Sequence, residues 1–344
     1  MIDLKVIKKL EELISIERKL VITSHSNPDG DAIGSSLALF LLLRQLGHQV
    51  KLIIPNMYPG FLSWLPHINE VIVYENQVKE ARALIDEADL IFCLDFNSMK
   101  RSGVMADDLI KADATKILID HHPEPVAEEF DILISKVSIS STSQLIFELI
   151  ITLGLEKYID ADVSSCLYVG IMTDTGSFSH AIYNSETFRS SAYLIDKGAN
   201  AERIHRLIYD TFSENRLRLL GHAINNRMMV MEEYRTAIIT LSRKDLKQFN
   251  YQIGDTEGVV NFPLSIASIN MAVLLTEKKD HVRLSFRSKG RFSVNDFARR
   301  YFEGGGHQNA AGGNSQLSLK ETVSRLIKLL PEIHEEINYQ YDEQ

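Results

Sequence analysis

A two-domain α/β fold is predicted for this chain, and three observations predict it. Apolar runs of strand length alternate with helix-length segments through the first half. Several of those runs end in an aspartate or a histidine. Beyond about residue 227 the character changes to short strand-like runs, helices and a glycine-rich tract. A chain of 344 residues suits about two domains. The expected division is a parallel-sheet domain over 1–186, a helical linker over 187–226 and a smaller α/β domain over 227–344.

The elements follow in order. Residues 3–17 place Leu4, Ile7, Leu10 and Ile14 on one helical face. Lys19 to Ser24 is a strand, and Pro28-Asp29-Gly30 is a turn sequence. The helix expected at 32–46 is apolar nearly all round, so it should be buried on more than one side. Strands are expected at Gln49 to Ile54, Glu70 to Tyr74, Leu90 to Asp95 and Lys116 to Asp120. Helices are expected at 76–87, 104–112, 142–153 and 161–172. An acidic loop, Thr173 to Phe178, should follow the last of these, and 184–226 is helix-prone and charged. In the second half, strands are expected at Met228 to Met231, Thr236 to Leu241 and Val282 to Arg287. Helices are expected at 243–249, 263–277, 293–302 and 318–337, with a glycine-rich loop at 304–313.

Composition narrows the function. The net charge of −9 argues against a protein that coats long nucleic acid, because basic surface supplies most of that affinity. It leaves room for a short or mononucleotide substrate held by local cations. The two cysteines, Cys93 and Cys166, have no metal-type spacing and should be small buried apolar residues. The N-terminus lacks the apolar core of a signal peptide, and the run Leu37 to Leu43 is too short to span a bilayer. The default expectation is a cytoplasmic protein without a membrane partner.

The chemistry-bearing residues are His25, Asp29, Asp31, Asp95, Asp120, His121, His122 and Asp174. They lie at strand ends or in loops, and parallel sheets bind ligands outside the carboxyl ends of their strands. Several carboxylates brought together repel one another, and one or two divalent cations remove that conflict. Oxygen with imidazole suits Mn²⁺, Zn²⁺ or Fe²⁺, and a carboxylate-rich set leans toward Mn²⁺ or Mg²⁺. Any one piece alone is more often a turn, a helix cap or a surface histidine; four clusters together point to a metal site.

Two further groups point to phosphate. Lys278 to Arg300 carries eight Lys and Arg against Asp280 and Asp296, inside an acidic protein. Near it lie Arg287-Ser288 and the tract Gly304-Gly305-Gly306-His307, whose backbone could approach a phosphate. The plainer alternative is a glycine-rich connection closing a strand pair. Arg101, six residues after Asp95, could contact a phosphate or form a surface ion pair.

Taken together, these motifs resemble the DHH superfamily of phosphoesterases, in the branch with a DHH-associated C-terminal domain. The resemblance rests on His25 to Ser35 (HSNPDGDAIGS), Asp95, Asp120-His121-His122, the loop at Asp174, and Gly304 to His307 with Ala310-Ala311-Gly312. It covers essentially the whole chain and is strongest toward the stand-alone nanoRNase/pAp phosphatases. It implies a hydrolase that cuts very short RNA to mononucleotides and removes the 3′-phosphate of 3′-phosphoadenosine 5′-phosphate (pAp), by two-metal activation of water. It implies two divalent cations, Mn²⁺ or Mg²⁺, the first held by His25, Asp29 and Asp95. Asp31, Asp95, His121 and Asp174 would hold the second. Asp120, His121 and His122 would form the catalytic set, with His122 facing the phosphate. Arg101, Arg287, Ser288, Gly304, Gly305, Gly306 and His307 would bind substrate. The alternatives are a linear or cyclic dinucleotide phosphodiesterase, a single-strand exonuclease, and a non-catalytic nucleotide-binding protein. Oligomeric state, including a homodimer, is not set by the sequence.

Overall fold

A computed structural model describes residues 3–179 and 183–338. The chain divides into two compact units, Met1–Thr211 and Phe212–Gln344. Each is built around its own six-stranded sheet among the described residues.

The first unit opens with α1 (Leu4–Leu13), capped by the Asp3 carboxylate. Ile7 and Leu10 are buried, whereas Leu4 is 73% exposed and drops out of the expected face. The sheet then alternates with helices: β1 (Lys19–Thr23), α2 (Gly30–Gln45), β2 (Gln49–Ile54), β3 (Ile72–Val73), α3 (Val78–Asp86), β4 (Leu90–Leu94), α4 (Ala106–Lys111), β5 (Thr115–Asp120) and β6 (Ile132–Ser135). Every neighbouring pair is parallel, and the order across the sheet is β3-β2-β1-β4-β5-β6. Winding therefore reverses between β1 and β4, where the crevice of a doubly wound sheet lies. β6 lies outside the sequence reading, and β3 shrinks to two residues of the expected five.

The helices α2, α5 (Thr142–Thr152) and α6 (Ala161–Asp174) contribute many residues to the larger of this unit's core clusters. α2 is buried from Gly30 to Leu43, as its apolar circumference predicts. Its close crossing with α6 depends on small residues. A Cβ at Gly34 would stand 2.5 Å from the Cys166 carbonyl oxygen, and one at Gly30 would overlap Thr173. Cys93 and Cys166 are free and buried, as expected. α7 (Ser185–Asp196) and α8 (Ala201–Tyr209) close the unit.

The second unit begins with α9 (Glu214–Arg227). It continues through β7 (Met228–Met231), β8 (Thr236–Leu241), α10 (Arg243–Gln248), β9 (Met271–Glu277), β10 (Val282–Ser288), α11 (Val294–Tyr301), β11 (Gly305–His307), β12 (Ala310–Ser315) and α12 (Leu319–Leu329). The order β11-β12-β10-β9-β8-β7 is antiparallel except between β8 and β9. The expected helix at 263–277 is a correction: Met271–Glu277 is a central strand. Both of its faces are buried, so its apolar run lacks the alternation that marks a half-exposed strand. The expected terminal helix at 318–337 breaks after Leu329, because Pro331 has no N–H to donate. Among the described residues no helix is long and apolar enough to cross a membrane.

Candidate metal centre and phosphate-facing sheet

The switch between β1 and β4 gathers the first unit's polar residues. His25 follows β1, Asp95 follows β4, and Asp120 ends β5 with His121 and His122 directly behind it. Asp29 caps α2, its Oδ1 accepting the N–H groups of Asp31 and Ala32 at 3.0 Å. Asp174 is the last residue of α6, which corrects the expected loop position. All eight candidate residues of this cluster therefore come together.

Asp95 is its centre. It is 2% exposed and adopts a left-handed backbone with φ 63°. Its Oδ2 lies 3.4 Å from His25 Nε2, and its Oδ1 lies 3.5 Å from His121 Nε2. His25 Nε2 is also 3.9 Å from Asp29 Oδ2. His121 Nε2 is also 3.5 Å from Asp174 Oδ2 and 4.0 Å from Asp31 Oδ2. These separations exceed those of charge-assisted hydrogen bonds, about 2.7–2.9 Å. They match instead the spacing of donors around a shared cation with bonds of about 2.1 Å. His25, Asp29 and Asp95 form one such donor group, and Asp31, Asp95 and His121 form a second.

His122 behaves differently. Its Nδ1 is 2.7 Å from Asp120 Oδ1, a true hydrogen bond that fixes the ring. Asp120 is wholly buried, and its Oδ2 has no hydrogen-bond partner among the described residues.

Electrostatics agree with the donor geometry. Burial pushes the Asp31 carboxyl up to about 7 and Asp120 up to about 6. Burial, then the neighbouring carboxylates of Asp31, Asp29, Asp120 and Asp174, drives Asp95 well above the ordinary range. Burial also lowers the pKa of His121, which favours the neutral imidazole that ligates metals. The donor set fits one or two divalent cations, which would keep these carboxylates ionised.

Three supports lie outside the sequence reading. The N–H groups of Thr142 and Ser143, at the start of α5, donate to Asp31 Oδ2 at 2.7 Å and Oδ1 at 2.9 Å. The Thr142 hydroxyl donates to Asp95 Oδ1 at 3.0 Å. Gly170 on α6 leaves room for both neighbours, since its Cβ would overlap the Ser143 hydroxyl and stand 2.6 Å from Asp31 Oδ1. The signal for the first two was the run Ser140-Ser141-Thr142-Ser143 before an apolar helix, an N-terminal helix signature. Nothing in one sequence marks Gly170.

Arg101 meets this region through its backbone. Its carbonyl accepts the Ser26 N–H at 2.7 Å, tying the loops after β1 and β4 together. Its positive charge favours the ionised form of Asp120.

The second unit places its candidates on a sheet. One face of β8–β12 packs under α11 and α12, around Val273, Leu284 and Phe286. The opposite face is covered over β8 and β9 by α9 and by Val259 and Val260. Across β10 and β12 that face carries Arg283, Ser285, Arg287, Ala310, Gly312 and Asn314, all exposed or half-buried. Arg287 pairs with Ala310, and Ala310 pairs with His307. Paired residues share a face, so Arg287 and His307 flank Ala310 across roughly 10 Å.

Ser288 is buried, on the other side of β10 from Arg287. Its hydroxyl donates to Phe292 O at 2.8 Å and accepts from Asn309 Nδ2 at 2.9 Å. The glycine tract is not a loop but the strand pair β11 and β12 itself, joined by a turn at Gln308 and Asn309. A Cβ at Gly304 would overlap the Gly312 carbonyl, and one at Gly313 would stand 2.9 Å from Phe302 O. Strand packing thus accounts for those two glycines. Asn295 Oδ1 accepts the Gly306 N–H at 2.8 Å and anchors the edge strand.

Comparison with known proteins adds three findings. The family description "DHH family, N-terminal domain" matches residues 19–171, and "DHHA1 domain" matches residues 234–336. The bifunctional oligoribonuclease and PAP phosphatase NrnA of Bacillus subtilis is 27% identical, over 89% of this chain and 92% of its own length. The protein of the same name from Thermus thermophilus is 28% identical, over 94% of this chain and 92% of its own length. A crystal structure of an exopolyphosphatase-related protein from Bacteroides fragilis is 39% identical, with a TM-score of 0.93 over 98% of this chain and 99% of that one.

Proposed function

From the premise that this chain belongs to the DHH family, with a DHHA1 domain behind its catalytic one, we propose that it hydrolyses short RNA oligonucleotides to mononucleotides and removes the 3′-phosphate of pAp. The chain is a phosphoester hydrolase, and enzymes of this family use divalent cations. The observation that carries the reading is Asp95, whose two oxygens face two separate donor groups. Support for the substrate class comes from relatives of that activity, similar over nearly their whole length.

Residue roles follow from position. His25, Asp29 and Asp95 would hold one cation; Asp31, Asp95, His121 and Asp174 would hold the other, with Mn²⁺ the best match to the mixed donors. Bound there, the cations supply Lewis acidity at the phosphoryl oxygens and make water nucleophilic near neutral pH. Asp120 orients His122 through Nδ1, so that Nε2 addresses a phosphoryl oxygen and stabilises its developing charge. On the second unit, Arg287 and His307 bind a substrate phosphate over Ala310, where the small side chain leaves access. Ser288, Gly304, Gly305 and Gly306 act by shaping that surface. Arg101 adds positive charge beside the Asp120–His122 pair.

The test is a product-resolved assay with Mn²⁺. Its substrates are pAp, RNA of two to five nucleotides, linear and cyclic diadenylates, and long single strands. Release of AMP and phosphate from pAp, with mononucleotides from short RNA, is expected. Turnover of diadenylates well above both would replace this reading with a signalling phosphodiesterase.

A further inference from the structure

Resting on the first unit's cluster being a divalent-cation site, we propose that Thr142 is a positioning residue. It sets the cation affinity of the Asp31–Asp95–His121 half of that site and leaves the His25–Asp29–Asp95 half unchanged.

Thr142 is fully buried and is the first residue of α5. It is not that helix's cap: Ser141 accepts the Gln144 N–H at 3.0 Å and does that work. The Thr142 hydroxyl is therefore available for another partner, and it donates to Asp95 Oδ1 at 3.0 Å. The same residue's N–H holds Asp31 Oδ2 at 2.7 Å. One residue thus orients two carboxylates that arrive from different elements, α2 and the end of β4.

The selectivity comes from which oxygen is held. Asp95 Oδ1 is the oxygen that faces His121, at 3.5 Å, while Oδ2 faces His25, at 3.4 Å. A hydroxyl on Oδ1 occupies one lone pair and leaves the other for a ligand on the His121 side. Carboxylates oriented before binding lose less freedom when a cation arrives. Loss of such an outer partner typically costs about 10- to 100-fold in metal affinity.

The experiment is calorimetric titration of the metal-free protein with MnCl₂, which needs no turnover. Thr142→Val keeps the branched shape and the backbone N–H but deletes the hydroxyl; Thr142→Ser restores it. Two binding steps are expected in the wild type. In Thr142→Val one step should weaken by roughly 10- to 100-fold while the other stays put, and Thr142→Ser should recover the wild-type affinity. Should Thr142→Val fail to fold, Thr142→Ala makes the same comparison without the branched carbon. Unchanged affinity at both steps, equal weakening of both, or no recovery with serine would overturn the proposal. No Mn²⁺ binding by the wild type would instead overturn the cation reading on which it rests.

Discussion

Asp95 and Arg287 both lie near the end of a sheet strand, yet their surroundings are opposite. Asp95 is buried among other carboxylates and imidazoles, and burial itself raises its pKa. Arg287 is half-buried on a sheet face where Ala310, Gly312 and Ser285 lie next to it and Arg283 and Asn314 stand further along. The first region concentrates like charges at a cost that a cation can offset. The second keeps its charge near water and clears space around it. The contrast matches the proposed division of labour, in which the buried cluster would cleave the phosphoester and the open face would bind the substrate phosphate.

That division can be broken in order of expected effect. Asp95→Asn should lower hydrolysis of every phosphoester by on the order of 10³-fold and remove Mn²⁺ stoichiometry. Substantial activity with reduced metal content would place the chemistry elsewhere. Gly170→Ala comes next, because its Cβ would meet Ser143 and Asp31. Overpacking of this kind costs about 1–3 kcal/mol, so both the thermal midpoint and turnover should fall together. A variant as active and as stable as the wild type would mean that α6 can retreat without disturbing Asp31.

On the recognition side, Arg287→Ala should raise KM for pAp and short RNA by roughly 10-fold, the loss of a charge-assisted hydrogen bond of about 1.5 kcal/mol. Its kcat should change little; a kcat loss with unchanged KM would move Arg287 into the cleavage chemistry. The smallest effect is on stability against pH. Burial raises the folded-state pKa of Asp120 to about 6 and of Asp31 to about 7, from 3.8. The folded metal-free protein therefore holds more protons than the unfolded chain across that window. The stability these groups contribute is complete below 3.8 and is lost as pH rises through about 6 and then about 7. Chelated protein should melt lower at about pH 8 than at about pH 5, and Mn²⁺ should reverse the drop by binding the folded state. A midpoint that rises with pH in chelated protein would contradict the buried-acid picture.

Much of this was legible in the sequence because it was local. The run VITSHSNPDGDAIGSS shows its strand, turn and buried helix through apolar spacing and turn residues, and β1 and α2 form there. The eight acid and histidine candidates announced themselves by residue type and by position at strand ends. Where local pattern was ambiguous, the reading failed. Met271–Glu277 has no alternation because both of its faces are covered, and the glycine tract resembles a loop because its strands pack without side chains.

The sequence by itself determined which residues could ligate, and that they would leave the carboxyl ends of strands. Tertiary structure alone decided that β1 and β4 are neighbours, since strand order depends on which edges pair over long separations. It alone aimed the two oxygens of Asp95 at different histidines and brought the first turn of α5 to Asp31 and Asp95. Those are distances between segments far apart in the chain, set by how helices pack across glycines, and no local pattern of residues encodes them.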